Sequence, residues 1–145
     1  MLRQLLVGAG VSVINIMIHA LVMTAVVRAA NIAGSKRPPQ PSLFLIVVMT
    51  VTVSVLMAAH TCEVIVWSLA YAIFNVTPEN AGVVYFAFVN YTTLGYGDVL
   101  PVERWRLLGP ITAMNGILLF GWSTAVIFEV LRKAMARSSF AAAEG

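Results

Sequence analysis

Tyr91-Thr92-Thr93-Leu94-Gly95-Tyr96-Gly97-Asp98 is the stretch that decides how the rest of this 145-residue chain is read. Two glycines alternate with larger residues, a pattern suited to backbone angles that a Cβ resists. Taken alone, it is a glycine-rich turn between helices. Its neighbours narrow that reading. Downstream, Leu107 to Leu131 is a predominantly apolar run, longer than the roughly 20 helical residues that cross a bilayer. Upstream, Thr77 suits an N-cap, Pro78 a first helical position and Glu79 a first turn, which predicts a short helix over Pro78 to Tyr91. That helix is too short to span a membrane and reads as re-entrant, and Thr92 to Glu103 reads as irregular backbone. At membrane depth such backbone persists only where protein encloses it or water lines it.

Composition agrees with a lipid setting. Hydrophobic residues make up 60% of the chain and charged residues 10%, against about 25% charged in ordinary soluble domains. A chain this short has too little interior to hide that much apolar surface from water. Two further apolar runs precede the glycine stretch. Leu5 to Val27 carries no formal charge, and Leu43 to Phe74 is longer than a bilayer needs, so it must tilt or protrude. Trp67 and Tyr71 near the end of the second run suit an interfacial belt. Between the runs, Arg28 to Ser42 holds Gly34, Lys36, Arg37, Pro38, Pro39 and Pro41, and its prolines separate two spans. A signal peptide in place of the first span would have a shorter apolar core and would put Lys36 and Arg37 outside. Cys62 is the single cysteine, so no disulfide forms within the chain.

Basic residues orient the spans. Arg28, Lys36, Arg37, Arg132, Lys133 and Arg137 fall on one side, and Arg3, Arg104 and Arg106 on the other. The positive-inside rule puts the first group in the cytoplasm, with the N-terminus outside and the C-terminus cytoplasmic. The small net charge of +3 gives no reason to expect a nucleic-acid partner.

With its flanks in place, Thr-Leu-Gly-Tyr-Gly at 93–97 resembles the selectivity filter of the potassium ion-channel superfamily, whose filters are four loops of the form T-V-G-Y-G. Leu43 to Lys133 has the order of that pore module: outer helix, pore helix, filter, inner helix. The whole chain resembles small prokaryotic members with one extra N-terminal helix. The resemblance implies an all-α membrane protein of three spans with a re-entrant pore helix and filter between the second and third. Residues 1–42 would form the N-terminal span and basic linker, 43–133 the pore module and 134–145 a short cytoplasmic tail.

The implied activity is passive potassium conduction across the cell membrane. Carbonyls of Thr93, Leu94, Gly95 and Tyr96, with the Thr93 hydroxyl, would bind the ion, and Gly97 would complete the filter. Asp98 would stand at the outer mouth, with Thr92, Tyr85 and Phe86 as support, and Tyr85 is expected to donate a hydrogen bond near Asp98. One filter loop per chain implies three further copies around one pore. Potassium would be the permeant ion, with no cofactor and no enzyme chemistry. In some members a pore-helix glutamate pairs with the residue at the Asp98 position; here Val89 stands there instead. Two rivals remain: a non-conducting regulatory subunit of another channel, and a weakly selective cation channel.

Other polar residues carry two readings each. Glu63 inside the second span, with His60 three residues before it on the same helix face, is read as hydrated near the outer surface; the alternative is a hydrogen-bonded pair bracing the pore helix from behind. His60, Cys62 and Glu63 share no helix face, which argues against a metal site among them. Asn15 and His19 read as interhelical hydrogen-bond partners. Glu129 suits either an inner-vestibule charge or a local pair with Arg132 or Lys133. Gly116 and Gly121 are the gating-hinge candidates in the last span, and Pro110 near its start is tolerated.

Overall fold

The computed structural model describes residues 1–33, 40–78 and 81–143. The expected linker residues Gly34, Lys36, Arg37, Pro38 and Pro39, together with Glu79, lie outside the described residues, as does the side chain of Arg137. Four α-helices and one short 3-10 turn run in order: α1 Leu2–Ala33, α2 Pro41–Ile73, α3 Val83–Tyr91, the 3-10 turn Glu103–Trp105, and α4 Leu108–Ala143. There is no strand among the described residues. Three helices are long and apolar enough to cross a membrane: Leu2–Ile32, Ser42–Ile73 and Glu103–Ala136, the last taking in the 3-10 turn. Thirty-odd residues rise roughly 45 Å, more than the ~30 Å hydrocarbon core, so each span extends beyond it or tilts.

The helices outrun the expected spans for local reasons. α1 continues past Arg28 because Ala29, Ala30 and Ala33 sustain it, and Asn31 near its end accepts a hydrogen bond from Lys133 Nζ at 3.0 Å. α2 starts with Pro41 in its first turn, where the missing N–H costs nothing. α3 is shorter than expected and begins at Val83, not Pro78. Gly82, with ψ of 95°, is extended, and Ala81 N–H closes a separate turn on the Pro78 carbonyl at 3.2 Å. Thr77 and Pro78 therefore precede the helix instead of starting it. α4 carries on past Leu131 through the basic Arg132 and Lys133.

α1 packs along both α2 and α4. Val11, Asn15, His19, Met23 and Val26 form its buried stripe at three- and four-residue spacing. α1 and α4 run parallel. At one end Gln4 Oε1 accepts the Leu107 N–H at 2.8 Å and Arg3 lies over the Trp105 ring; at the other, Lys133 meets Asn31. The core around α3 joins Trp67, Tyr71, Phe86, Tyr91, Trp105 and Leu108. Outward faces of α1, α2 and α4 stay apolar and exposed, with Leu21, Met57 and Leu118 each more than 60% accessible, as lipid-facing or copy-facing surfaces must be.

Candidate functional site

α2 and α3 end in the same device. After α2, Asn75 turns to φ 50°, its N–H bonds to the Ala72 carbonyl, and the Val76 N–H bonds to Tyr71 at 3.0 Å. After α3, Thr93 turns to φ 60°, its N–H bonds to Asn90 at 3.0 Å, and the Leu94 N–H bonds to Val89 at 2.9 Å. Both are Schellman closures, which favour glycine and accept asparagine at the left-handed position. Threonine there is unusual, because a β-branched side chain crowds the backbone at positive φ. Gly95 at φ 62° and Gly97 at φ 76° repeat the left-handed turn at every second residue, while Leu94 and Tyr96 between them do not share it. Alternation of this kind lets successive carbonyls point to one side of the chain. The two glycines have the angles expected of them; the positive φ of Thr93 is legible only as the position where a C-cap glycine would sit.

All of residues 92–98 are exposed in the single chain, with Leu94 at 54% and Tyr96 at 68%. The segment is anchored at its flanks. Thr92 Oγ1 donates to the Phe88 carbonyl at 2.7 Å. Tyr85 O–H donates to Asp98 Oδ2 at 2.7 Å, and Asp98 Oδ1 accepts the Val99 N–H at 3.1 Å. The Asp98 hydrogen bond pushes the Tyr85 phenol above its ordinary value, so it remains a donor through neutral pH. Phe86 divides from Tyr85: it is buried against the Tyr71 ring, centroids 5.2 Å apart, while Tyr71 O–H and Thr112 Oγ1 meet at 2.5 Å. Val102 N–H bonds to the Val76 carbonyl at 2.9 Å and fixes the return to α4. Val89 is buried.

Behind α3 lies a polar cluster. Glu63 and His19 are wholly buried and His60 nearly so. Glu63 Oε1 meets His19 Nδ1 at 2.8 Å, and Glu63 Oε2 meets His60 Nδ1 at 3.0 Å. Tyr91 O–H donates to Glu63 Oε2. Ser123 Oγ lies 2.9 Å from His60 Nε2 and 3.4 Å from His19 Nε2. This corrects the hydrated reading of Glu63, since the carboxylate is sealed among four helices and braces the end of α3. Cys62 is exposed and apart from it. Asn15 and His19 are interhelical partners as expected; Asn15 Nδ2 donates to the Glu63 carbonyl and to Asn115 Oδ1, both at 3.2 Å, and Trp67 Nε1 donates to that same Asn115 oxygen at 3.0 Å. Sequence spacing within α2 shows His60 beside Glu63, but spacing cannot show His19 and Ser123 arriving from other helices.

Gly116 is buried where α4 meets the end of α3. A Cβ there would overlap the Tyr91 carbonyl oxygen and stand 3.1 Å from its carbon. At Gly121 a Cβ would meet nothing within 4 Å. Glu129 is paired within its own helix, with Arg132 at 2.8 Å and Lys133 at 3.2 Å.

The sequence model described as "Ion channel" matches residues 43–133, from α2 through most of α4. The chain belongs to the ion channel family. This channel is therefore an ion-transporting, multi-pass membrane protein whose matched region holds both the alternating 93–97 backbone and Glu63. Nothing among curated proteins or solved structures matches the chain.

Proposed function

We propose that four copies of the channel surround one pore and conduct potassium selectively and passively across the cell membrane, with Thr93 to Gly97 as the filter. The observation that carries this reading is the alternating positive φ at Thr93, Gly95 and Gly97 directly after a short helix. Such a backbone supplies carbonyl rings from Thr93, Leu94, Gly95 and Tyr96, and the Thr93 hydroxyl adds an inner one. α3, at nine residues, rises only about 14 Å and serves as the re-entrant pore helix. Its C-terminal end, with partial negative charge, points toward the cation path. The exposure of residues 92–98 in a single chain supports assembly, because a filter must be walled by further copies.

Asp98 forms the outer ring of carboxylates, and Thr92, Tyr85 and Phe86 support the filter, Phe86 through the Tyr71 packing. α1's N-terminus lies outside and α4's C-terminus in the cytoplasm. Gly121 is the better-placed hinge, since Gly116 is committed to packing against Tyr91. The test is native mass spectrometry with bilayer recording. Four chains of 15.6 kDa and a reversal potential that follows the potassium gradient support the reading; a monomer, or a reversal potential indifferent to potassium over sodium, contradicts it.

Two expected results belong to this reading. Tyr85→Phe removes the bond to Asp98, so current should decay faster under sustained opening; unchanged decay and ion occupancy would detach Tyr85 from filter support. Glu129→Gln should change conductance little, because Arg132 and Lys133 already offset that carboxylate. A large fall would show Glu129 acting as an inner-vestibule charge.

A further inference from the structure

We infer that His19, His60, Glu63 and Tyr91 form a binding site for a first-row divalent transition metal of the zinc class. Three helices deliver the ligands: α1 gives His19, α2 gives His60 and Glu63, and α3 gives Tyr91. One ligand atom each from His19, His60 and Glu63 lie within 4.8 Å of one another. Tyr91 O–H reaches both Glu63 Oε2 and His60 Nδ1, the latter at 2.9 Å.

Proton accounting favours a cation here. Tyr91 and Ser123 bring one hydroxyl proton each, and a neutral imidazole brings one N–H. With both imidazole protons on Nδ1, towards Glu63, Ser123 has one proton to divide between two Nε2 acceptors at 2.9 and 3.4 Å. With both on Nε2, two Nδ1 lone pairs face a carboxylate at 2.8 and 3.0 Å. A mixed pair still leaves one ring nitrogen against Glu63 as acceptor against acceptor. With Glu63 ionised and both imidazoles neutral, every arrangement is one positive charge short, and either one added proton or a bound metal ion supplies it.

A divalent ion among the two Nδ1 atoms, a Glu63 oxygen and the Tyr91 oxygen satisfies both sides. Both Nε2–H groups then donate into Ser123 Oγ, the kind of outer hydrogen bond that orients metal-bound histidines. Zinc–ligand bonds of about 2.0–2.2 Å place tetrahedral ligands roughly 3.3–3.6 Å apart, so the contacts at 2.8 and 3.0 Å open by less than about 1 Å while the widest pair, within 4.8 Å, closes by little more than that. With Glu63 ionised and Tyr91 as phenolate, the site is electrically neutral, which a setting this dry demands. The displaced protons leave to solvent. The ion would pin α1 to α2 and to the end of α3, beside Thr92.

Full-length protein purified in detergent without a histidine tag, and stripped with a chelator, would be titrated with Co²⁺ and then Zn²⁺. The expected result is one Co²⁺ per chain with the visible bands of four-coordinate cobalt, lost as Zn²⁺ displaces it. X-ray absorption on the zinc form should show two imidazoles, oxygen and no sulfur. His19 and His60 are the only two histidines in the chain, so an imidazole signal locates the metal by itself. His19→Gln and Glu63→Gln should each weaken binding at least about 100-fold, since losing an outer partner alone costs 10–100-fold. No saturable binding to the unmutated protein, a sulfur shell from Cys62, or unchanged affinity in His19→Gln would overturn the site. None of these readouts depends on ion flux, so failure here is distinct from failure of the conduction reading.

Discussion

Gly116→Ala should unseat the end of α3 and abolish conduction while the protein still inserts in membranes. The added Cβ meets the backbone carbonyl of Tyr91, not the yielding tip of a side chain, so α3 or α4 must move. Overpacking of this kind costs about 1–3 kcal/mol and sometimes more, and a homotetramer would bear it four times. Tyr91 directly precedes Thr92 and Thr93, so a shift there carries into the left-handed turn at Thr93, where the proposed filter begins. A fall in thermal midpoint with loss of flux is the expected pair of readings. Gly121→Ala is the control: its Cβ enters open space, and alanine favours helix by about 1 kcal/mol over glycine. Stability should hold or rise there, and if Gly121 flexes during gating, open probability should change without loss of selectivity. Equal tolerance at both positions would show that the α3–α4 approach is not tight.

The second large effect is expected at Glu63. Glu63→Ala removes the common partner of His19, His60 and Tyr91 and leaves their polar atoms buried without it. Removing one member of a buried ionic group typically costs about 3–5 kcal/mol. The thermal midpoint of the detergent-solubilised protein should fall sharply. A double-mutant cycle with His19→Ala should show coupling of about 0.5–3 kcal/mol, as expected of residues in one network. Additive losses would mean that His19 and Glu63 are neighbours without being partners.

The three spans were legible because hydrophobic length is a strong signal and lipid tolerates few alternatives. The angles of Gly95 and Gly97 were legible because positive φ selects for glycine. The same logic misses Thr93, where tertiary and hydrogen-bonding context holds a β-branched residue in a conformation it disfavours. Strain of this sort concentrates at functional backbone. The start of α3 was misplaced at Pro78 because Thr-Pro-Glu satisfies every local rule for a helix start, yet extended Gly82 delays the helix to Val83. Glu63 was read as hydrated because a depth along one helix says nothing of what packs against it. Its burial depends on His19, 44 positions away in the chain, and on Ser123, which closes the cluster through His60 and His19; these residues meet only in the folded bundle. In sequence Gly116 stands beside Gly121 as a hinge candidate, and only the approach of the Tyr91 carbonyl shows it to be a close-packing position.

The most direct test of the central claim is ion flux into liposomes containing only this purified chain, under a potassium gradient, with sodium and barium as comparisons. The account predicts potassium flux well above sodium flux, blocked by barium and lost in Gly116→Ala. Equal potassium and sodium flux, or no flux from protein shown to be tetrameric and folded, would contradict it.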